Sequence, residues 1–139
     1  MTHEEQAALD AVMNFLDCYS QENLEGCMSA IAVSRPILLL GTNENEVFRT
    51  LGDIRAAFAR DFDSMSNIRW GKYLNIHVEA TSTLACVLVE LPVTYQCEGK
   101  DVETMFRYSL TLYKEGEQWK ICSGMASVPF ASGTYLFPK

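Results

Sequence analysis

Four polar side chains stand out within three apolar segments of the C-terminal half, between Leu84 and Ser127. They are Glu90, Arg107, Ser109 and Ser123. A charge within an apolar strand costs free energy unless it is paired or hydrated. A carboxylate in an apolar cavity has a raised pKa and can act as a general acid or base. An arginine can bind a carboxylate or enolate oxygen through two hydrogen bonds. We therefore predict a pocket in which Glu90 is the catalytic candidate and Arg107 binds the ligand.

For Glu90, two non-catalytic roles are favoured over a catalytic one. The carboxylate could form a salt bridge with Arg107 in the pocket wall, or a β-bulge could turn it toward solvent. For Arg107, binding an anionic ligand group and pairing only with Glu90 are about equally supported. The sequence alone leaves these alternatives open.

The strands that would position these side chains follow from a period-two alternation of apolar residues. They are predicted over Ile68–Ala80, Leu84–Cys97, Val102–Lys114 and Trp119–Ser127. The length of each hairpin loop fixes which residues face each other. The turns near Thr81, Gly99 and Gly116 place the four polar side chains on one face. The same face is expected to carry Tyr73, Met125 and Trp119, which we predict, with Ser109 and Ser123, as ligand-binding residues.

The opposite face of this sheet is almost entirely apolar, from Val87 on one strand to Leu110 on the next. Both faces must then be covered. The predicted helices suffice for only one side, so we predict that a second subunit covers the other and that the chain forms a homodimer through the sheet. The expected arrangement has a pocket on the polar face and a subunit on the apolar face.

Three helices precede these strands. Thr2 and Glu5 form a capping box for a helix ending near Ser20. Asn23 can cap a short second helix, and Thr50 a third whose apolar stripe runs from Ile54 to Phe62. Between them, Ile37–Leu40 is predicted as a buried strand and Thr42–Glu46 as a polar loop. Helices followed by an antiparallel meander indicate an α+β fold.

Other candidate residues of this chain are weaker. Tyr19 could line the cavity and donate a hydrogen bond to an oxyanion, although tyrosines more often serve as core packing. His77 lies near a strand end, where we expect it to be exposed. Asp61 is interpreted as a solvated charge near the end of the third helix. With no histidine cluster and no C-x-x-C pair among five cysteines, we expect no metal site and no cofactor.

The bulk composition limits the possible partners. The chain has 139 residues with 48% hydrophobic and 21% charged residues, as expected for one globular domain over 1–139 that ends in an irregular apolar tail, 128–139. A net charge of −7 argues against nucleic acid and anionic membranes. The acidic N terminus does not resemble a signal peptide, and the cysteine pattern favours a reducing cytoplasm.

Two segments resemble the nuclear transport factor 2-like superfamily, in particular its SnoaL-like branch and the association domain of calmodulin-dependent kinase. One runs from Gly41 through Gly52 to Phe62, similar to the family's polar loop, glycine and third helix. The other, Trp119–Pro129, is similar to the family's closing W-x-I-x-H-x-H-x-S strand. The resemblance implies a cone-shaped fold in which three N-terminal helices pack on a curved, mostly antiparallel sheet and enclose a pocket, with the convex sheet face often forming a dimer.

Where relatives often carry two histidines in the closing strand, this chain has Ser123 and Met125. Acid–base chemistry that depends on those imidazoles is therefore not expected. The favoured hypothesis is a domain that binds a small hydrophobic or anionic molecule without catalysis. The alternatives are an isomerase, dehydratase or cyclase acting on a hydrophobic carbonyl compound, with Glu90 as proton shuttle, and an oligomeric interaction module.

Overall fold

The computed structural model describes residues 1–134, which form three helices and seven strands. In chain order these are α1 (His3–Ser20), α2 (Leu24–Ser29), β1 (Leu38–Leu40), β2 (Val47–Phe48), α3 (Leu51–Ser64), β3 (Met65–Trp70), β4 (Asn75–Ala80), β5 (Leu84–Cys97), β6 (Lys100–Glu115) and β7 (Gln118–Ser127). The predicted α+β class and the three N-terminal helices are confirmed. The hairpin strand β2 lies next to the predicted polar loop and was not anticipated.

The helices begin where the sequence places their caps. The Thr2 hydroxyl accepts a hydrogen bond from the Glu5 backbone N–H, and the Glu5 carboxylate accepts one from the Thr2 N–H. This reciprocal pair is the predicted capping box. The Thr50 hydroxyl accepts from the Asp53 N–H at the start of α3. Each cap satisfies backbone donors that the first helical turn leaves free.

The strands form one mixed sheet in the order β2-β1-β7-β6-β5-β3, and β4 also pairs with β5. Within residues 1–134, the short strand β1 and its neighbour β7 are the only two strands that pair in parallel. The long hairpin of β5 and β6 is closed by Glu98 and Gly99, both with positive φ. A two-residue turn of this kind matches the right-handed twist of the strands and determines their register. The sheet is therefore centred on β5, β6 and β7.

The predicted strand Ile68–Ala80 is interrupted in the structure. Residues 71–74 leave the ladder, so that β3 and β4 pair with successive parts of β5. Pro92 lies opposite the interruption and has no backbone N–H to donate to an edge strand. Its carbonyl instead accepts from the Gly71 N–H at 2.8 Å. A Cβ at residue 71 would lie 2.6 Å from the Pro92 ring, so the glycine permits this close approach.

The predicted pairing of β5 with β6 is confirmed, but the expected assignment of the two sheet faces is corrected. Glu90 lies directly opposite Arg107, on the face that the helices leave uncovered. The helices instead cover the apolar face, where Val87, Val89 and Leu112 are fully buried together with Leu16 of α1. Apolar helix stripes gain most free energy against the apolar face of the sheet, which leaves the mixed face exposed.

An irregularity in β7 moves one predicted site residue to the helix-covered side. The two-residue turn between Glu115 and Gln118 pairs Trp119 with Lys114. The register shift between Thr111 and Leu112 then places Trp119 on the opposite face from Ser123. Trp119 is consequently buried in the core cluster. A β-bulge changes the face on which all residues beyond it lie, and sequence alternation does not reveal its position.

The tail that follows β7 has no regular secondary structure from Val128 to Thr134. The remainder of the predicted apolar tail lies outside the described residues. None of the helices within residues 1–134 combines the length and apolar character needed to cross a lipid bilayer.

Candidate functional site

A cavity of about 150 Å³ lies between α1, α3 and the inner face of the sheet. Its wall is largely apolar and aromatic, with a few polar groups and the backbone of β1 and β7. The lining residues are Phe15, Tyr19, Ile31, Leu39, Leu40, Gly41, Thr42, Glu46, Phe48, Ile54, Ala57, Phe58, Asp61, Phe106, Tyr108, Leu110, Ile121, Gly124, Met125 and Ala126. A mostly apolar concavity with a few convergent polar groups is typical of a small-molecule site.

The main polar contact in this wall is a hydrogen bond between two helices. The Tyr19 hydroxyl of α1 donates to Oδ2 of Asp61 in α3 at 2.7 Å. Asp61 follows the buried residue Ile54 by seven positions and Ala57 by four, so it lies on the inward side of α3. The second carboxylate oxygen, Oδ1, has no hydrogen-bond partner within residues 1–134. It is therefore available to a ligand.

The surroundings of Asp61 raise the pKa of its carboxyl group. Burial raises the pKa of this carboxyl above its usual value, and the negative charge of Glu46 raises it further. The hydrogen bond from Tyr19 and the charge of Arg60 lower the pKa, but these effects are smaller than that of desolvation. A carboxyl group with a raised pKa in an apolar cavity is a candidate for proton transfer or for binding a polar ligand group.

A second tyrosine approaches the same carboxylate from the sheet. Tyr108 of β6 lines the cavity, and burial, followed by the charge of Asp61, raises its pKa. Its hydroxyl forms no hydrogen bond within the part of the chain that the structure describes. Trp70 supports both tyrosines, with ring centroids 6.1 Å from Tyr19 and 6.0 Å from Tyr108. The indole N–H of Trp70 is fixed by the Leu16 carbonyl at 2.7 Å.

The structure brings only part of the predicted site to this cavity. Tyr19 lines it, and Met125 borders it while remaining 46% exposed. Glu90, Arg107, Ser109 and Ser123 do not line it, which corrects the expected composition of the pocket. The physical reason is the face assignment: the helices enclose the apolar side of the sheet, and these four residues belong to the other side.

Glu90 and Arg107 form an ion pair on this outer face. Arg107 Nε donates to Glu90 Oε2 at 2.6 Å, and the Asn75 amide donates to Oε1 at 2.8 Å. These two hydrogen bonds lower the pKa of Glu90 below its usual range. A carboxylate held in its ionised form by a guanidinium is a poor proton shuttle near neutral pH. The predicted salt bridge is present, but in the outer surface of the sheet and not in a pocket wall.

Two further predicted ligand-binding residues lie apart from the cavity. Tyr73 is half-buried in the segment between β3 and β4 and packs against the core cluster. Burial raises its pKa, as does the charge of Asp17. Trp119 is buried, and its indole N–H has no partner within the described residues. His77 is exposed near Glu79, as predicted for a surface histidine.

Sequence reasoning missed Asp61 and Tyr108. Asp61 was interpreted as a solvated charge, although its spacing from Ile54 and Ala57 places it in the apolar stripe of α3. Tyr108 lies on the sheet face that the sequence predicts to be almost entirely apolar, so no functional role was expected for it. The available signal was a polar atom at a buried position of a helix or strand, because such atoms require a partner or a ligand.

Comparison with known proteins identifies the family. The family model described as SnoaL-like domain matches residues 8–131. No curated protein sequence matches the chain.

Solved structures show the same fold. A putative dehydratase from the NTF2-like family of Streptomyces avermitilis superimposes with a TM-score of 0.83 at 15% identity, over 91% of this chain and 96% of the other. A ketosteroid isomerase-like protein from Erwinia carotovora atroseptica gives 0.79 at 11% identity, over 94% and 100%. A putative calcium/calmodulin-dependent protein kinase II association domain from Xanthomonas campestris gives 0.75 at 20% identity, over 90% and 86%. The fold is thus NTF2-like, and the chain belongs to the SnoaL-like domain family.

Proposed function

We propose that this protein binds a small hydrophobic molecule in the cavity between α1, α3 and the sheet. The observation that carries the proposal is the aromatic cavity in which Asp61, hydrogen-bonded to Tyr19, retains a free carboxylate oxygen. Apolar walls supply the favourable transfer from water, and a few fixed polar groups orient the ligand. The anionic class of ligand was predicted from Arg107, which lies on the outer face, so the cavity favours the hydrophobic class.

The volume of the cavity sets the size of the ligand. A cavity of about 150 Å³ corresponds to one benzene-sized molecule. Because Thr42 is an exposed residue of the cavity wall, a substituent on the ring could extend outward past it. We therefore expect single-ring compounds to bind more tightly than larger fused-ring compounds.

Titration of the isotope-labelled protein with single-ring compounds, followed by NMR amide shifts, tests this proposal. Ala57→Leu adds bulk to the cavity wall and should weaken binding at least tenfold. Ala59→Leu, on the exposed side of the same helix, is the matched control and should retain the wild-type affinity. Shift changes that cluster on the outer face, or equal losses in both variants, would contradict the proposal.

A second candidate function is proton transfer on a hydrophobic carbonyl compound, as in isomerases, dehydratases and cyclases. The raised pKa of Asp61 beside two tyrosines favours it. Some structural relatives are named as a putative dehydratase and as ketosteroid isomerase-like. In this version Asp61, rather than Glu90, would move the proton, and a tyrosine hydroxyl would stabilise the oxyanion.

Deuterium exchange at the methyl group of acetophenone in D₂O, followed by NMR, tests the second candidate. Asp61→Asn should reduce the catalysed exchange by roughly 100-fold or more, as expected for loss of a general base. Glu90→Gln should leave the rate unchanged because Glu90 lies across the sheet. Catalysed exchange that depends on Glu90 and survives Asp61→Asn would reverse the assignment.

We also propose that the outer face of the sheet forms a homodimer and that the protein is cytoplasmic. Exposed apolar side chains on or beside this face support the first point, and five free thiols support the second. The apolar residues include Leu84, Leu88 and Met125. Light scattering should give twice the chain mass, and Leu88→Glu should produce a monomer. A monomeric wild-type protein would exclude the dimer and the oligomeric interaction module together.

A further inference from the structure

The charges that line the cavity are all acidic. Asp61 is half-buried in its wall, and Glu46 lines it from the segment between β1 and β2. No lysine, arginine or histidine lines the cavity within residues 1–134. Electrostatic interactions in a partly desolvated site are stronger than in bulk water. The polar group of a bound molecule therefore meets negative charge, because Arg60, the cation whose charge acts on Asp61, does not line the cavity.

The apolar part of the wall is aromatic on several sides. Phe15 and Phe58 line it from the helices, with ring centroids 5.8 Å apart. Phe106 and Tyr108 line it from the sheet, with centroids 5.7 Å apart. The faces of aromatic rings carry negative electrostatic potential and attract cations, most strongly where water is excluded. Both components of the wall favour a positively charged group.

The hydrogen-bonding capacity of the carboxylate agrees with this polarity. The Tyr19 proton occupies Oδ2 of Asp61, and Oδ1 remains a free acceptor. An ammonium group has only donors to offer, so it complements Oδ1 and the Tyr108 oxygen. A carboxylate ligand offers only acceptors. The Tyr19 proton is already engaged by Asp61, and a carboxylate bound to the Tyr108 hydroxyl would face the acidic groups Asp61 and Glu46 of the same wall.

From these observations we infer that the ligand is a small organic cation, a single aromatic ring that carries an amine or ammonium group, bound with its nitrogen at Oδ1 of Asp61. This inference rests on the proposed function and specifies the ligand class for the same cavity. A neutral amine would reach the same bound state by accepting a proton when the Asp61 carboxyl is protonated. The proton then lies on nitrogen, and the carboxylate carries the negative charge.

Three compounds of nearly equal size separate this inference from simple hydrophobic binding. Benzylamine is a cation at neutral pH, benzyl alcohol is neutral and benzoate is an anion. Calorimetry and NMR shifts should show benzylamine binding about tenfold more tightly than benzyl alcohol, in line with a charge-assisted hydrogen bond, and benzoate not binding measurably. Equal affinity for the amine and the alcohol, with shifts in the cavity, would overturn the inference and leave the proposed function intact. If none of the three compounds binds, both fail.

The overall negative charge of the protein could attract any cation, so binding in the cavity must be distinguished from attraction to the protein surface. Asp61→Asn should reduce the preference for benzylamine over benzyl alcohol to within about twofold. Asp63→Asn removes the same charge from an exposed position of α3 and should keep the tenfold preference. Raising the salt concentration weakens exposed attraction much more than a partly buried contact. If the preference for benzylamine survives Asp61→Asn, or if Asp63→Asn abolishes it equally, the preference comes from the surface charge of the protein and the inference is wrong.

Discussion

The two faces of the sheet each carry a carboxylate, but their surroundings are opposite. On the outer face, Arg107 and Asn75 hydrogen-bond to Glu90 and lower its pKa. In the cavity, Asp61 has a tyrosine hydroxyl as its partner, and burial raises its pKa. The outer carboxylate is thus paired with a cation, whereas the inner one has an uncharged hydrogen-bond donor as its partner. The pKa of a carboxyl group, and thus its capacity to transfer a proton or bind a ligand, depends on its partner and its desolvation more than on whether it is Asp or Glu.

The largest expected difference between the faces concerns packing. Leu91 and Leu88 lie on the same strand with opposite orientation, the first fully buried and the second 48% exposed. Leu91→Ala should lower the free energy of unfolding by about 3 kcal/mol because it leaves a cavity in the core. Leu88→Ala should cost less than about 1 kcal/mol. Denaturant unfolding at a low protein concentration, at which a dimer would dissociate, measures both, and similar losses would contradict the opposite orientation of the two side chains.

The same pair of variants also bears on the proposed dimer. If a second copy covers the outer face, the melting temperature of the wild-type protein should rise with protein concentration. Leu88→Ala should weaken that dependence, and Leu91→Ala should retain it at a lower temperature. A melting temperature independent of concentration in all three proteins would argue against the dimer.

The next comparison replaces each carboxylate with its neutral amide. Asp61→Asn removes the cost of desolvating a charge, and the amide oxygen can still accept from Tyr19. We expect the free energy of unfolding at pH 7 to rise by about 0.5–1 kcal/mol, as is common when a functional residue is replaced. Glu90→Gln should instead lower the melting temperature slightly, because Arg107 loses its ionic partner. If the melting temperature shifts in the same direction in both variants, the two carboxylates do not differ in their effect on stability as proposed.

The strand pairing was accessible from the sequence, but the location of the site was not. Loop lengths predicted that Glu90 faces Arg107, because each residue added to a hairpin loop changes the register in a defined way. Which face the helices cover depends on tertiary packing. In the structure they cover the face that carries the apolar residues of β5 and β6. Asp61 and Tyr19 are 42 residues apart, so no local pattern relates them. The register shift in β7, which places Trp119 and Ser123 on opposite faces, likewise has no local signature.

The opposite pKa shifts predict opposite pH dependences of stability. The pKa of Glu90 is lower in the folded than in the unfolded protein, so its stabilising effect is present above the unfolded value and is lost as the pH falls. Asp61 has the higher pKa in the folded protein, so its protonation adds stability as the pH falls toward the unfolded value.

Carboxyl ¹³C NMR should therefore show Asp61 titrating above the usual range of aspartates and Glu90 below that of glutamates. Unfolding of Asp61→Asn at several pH values supplies the thermodynamic check. Its stability advantage over the wild-type protein should shrink as the pH is lowered, since the wild-type carboxyl becomes neutral as well. An advantage that is constant between neutral and acidic pH would contradict the raised pKa.

The smallest effect isolates the Tyr19 hydroxyl. Its hydrogen bond stabilises the charged form of Asp61 and lowers the pKa of that carboxyl, so Tyr19→Phe should raise the pKa further. Tyr73→Phe removes a half-buried phenol that forms no hydrogen bond to Asp61, and it should leave the titration in place. A lowered pKa in Tyr19→Phe would mean that water enters the cavity and replaces the phenol as a better donor. In that case the availability of Asp61 would depend on solvent access, and the contrast between the two faces would rest on desolvation alone.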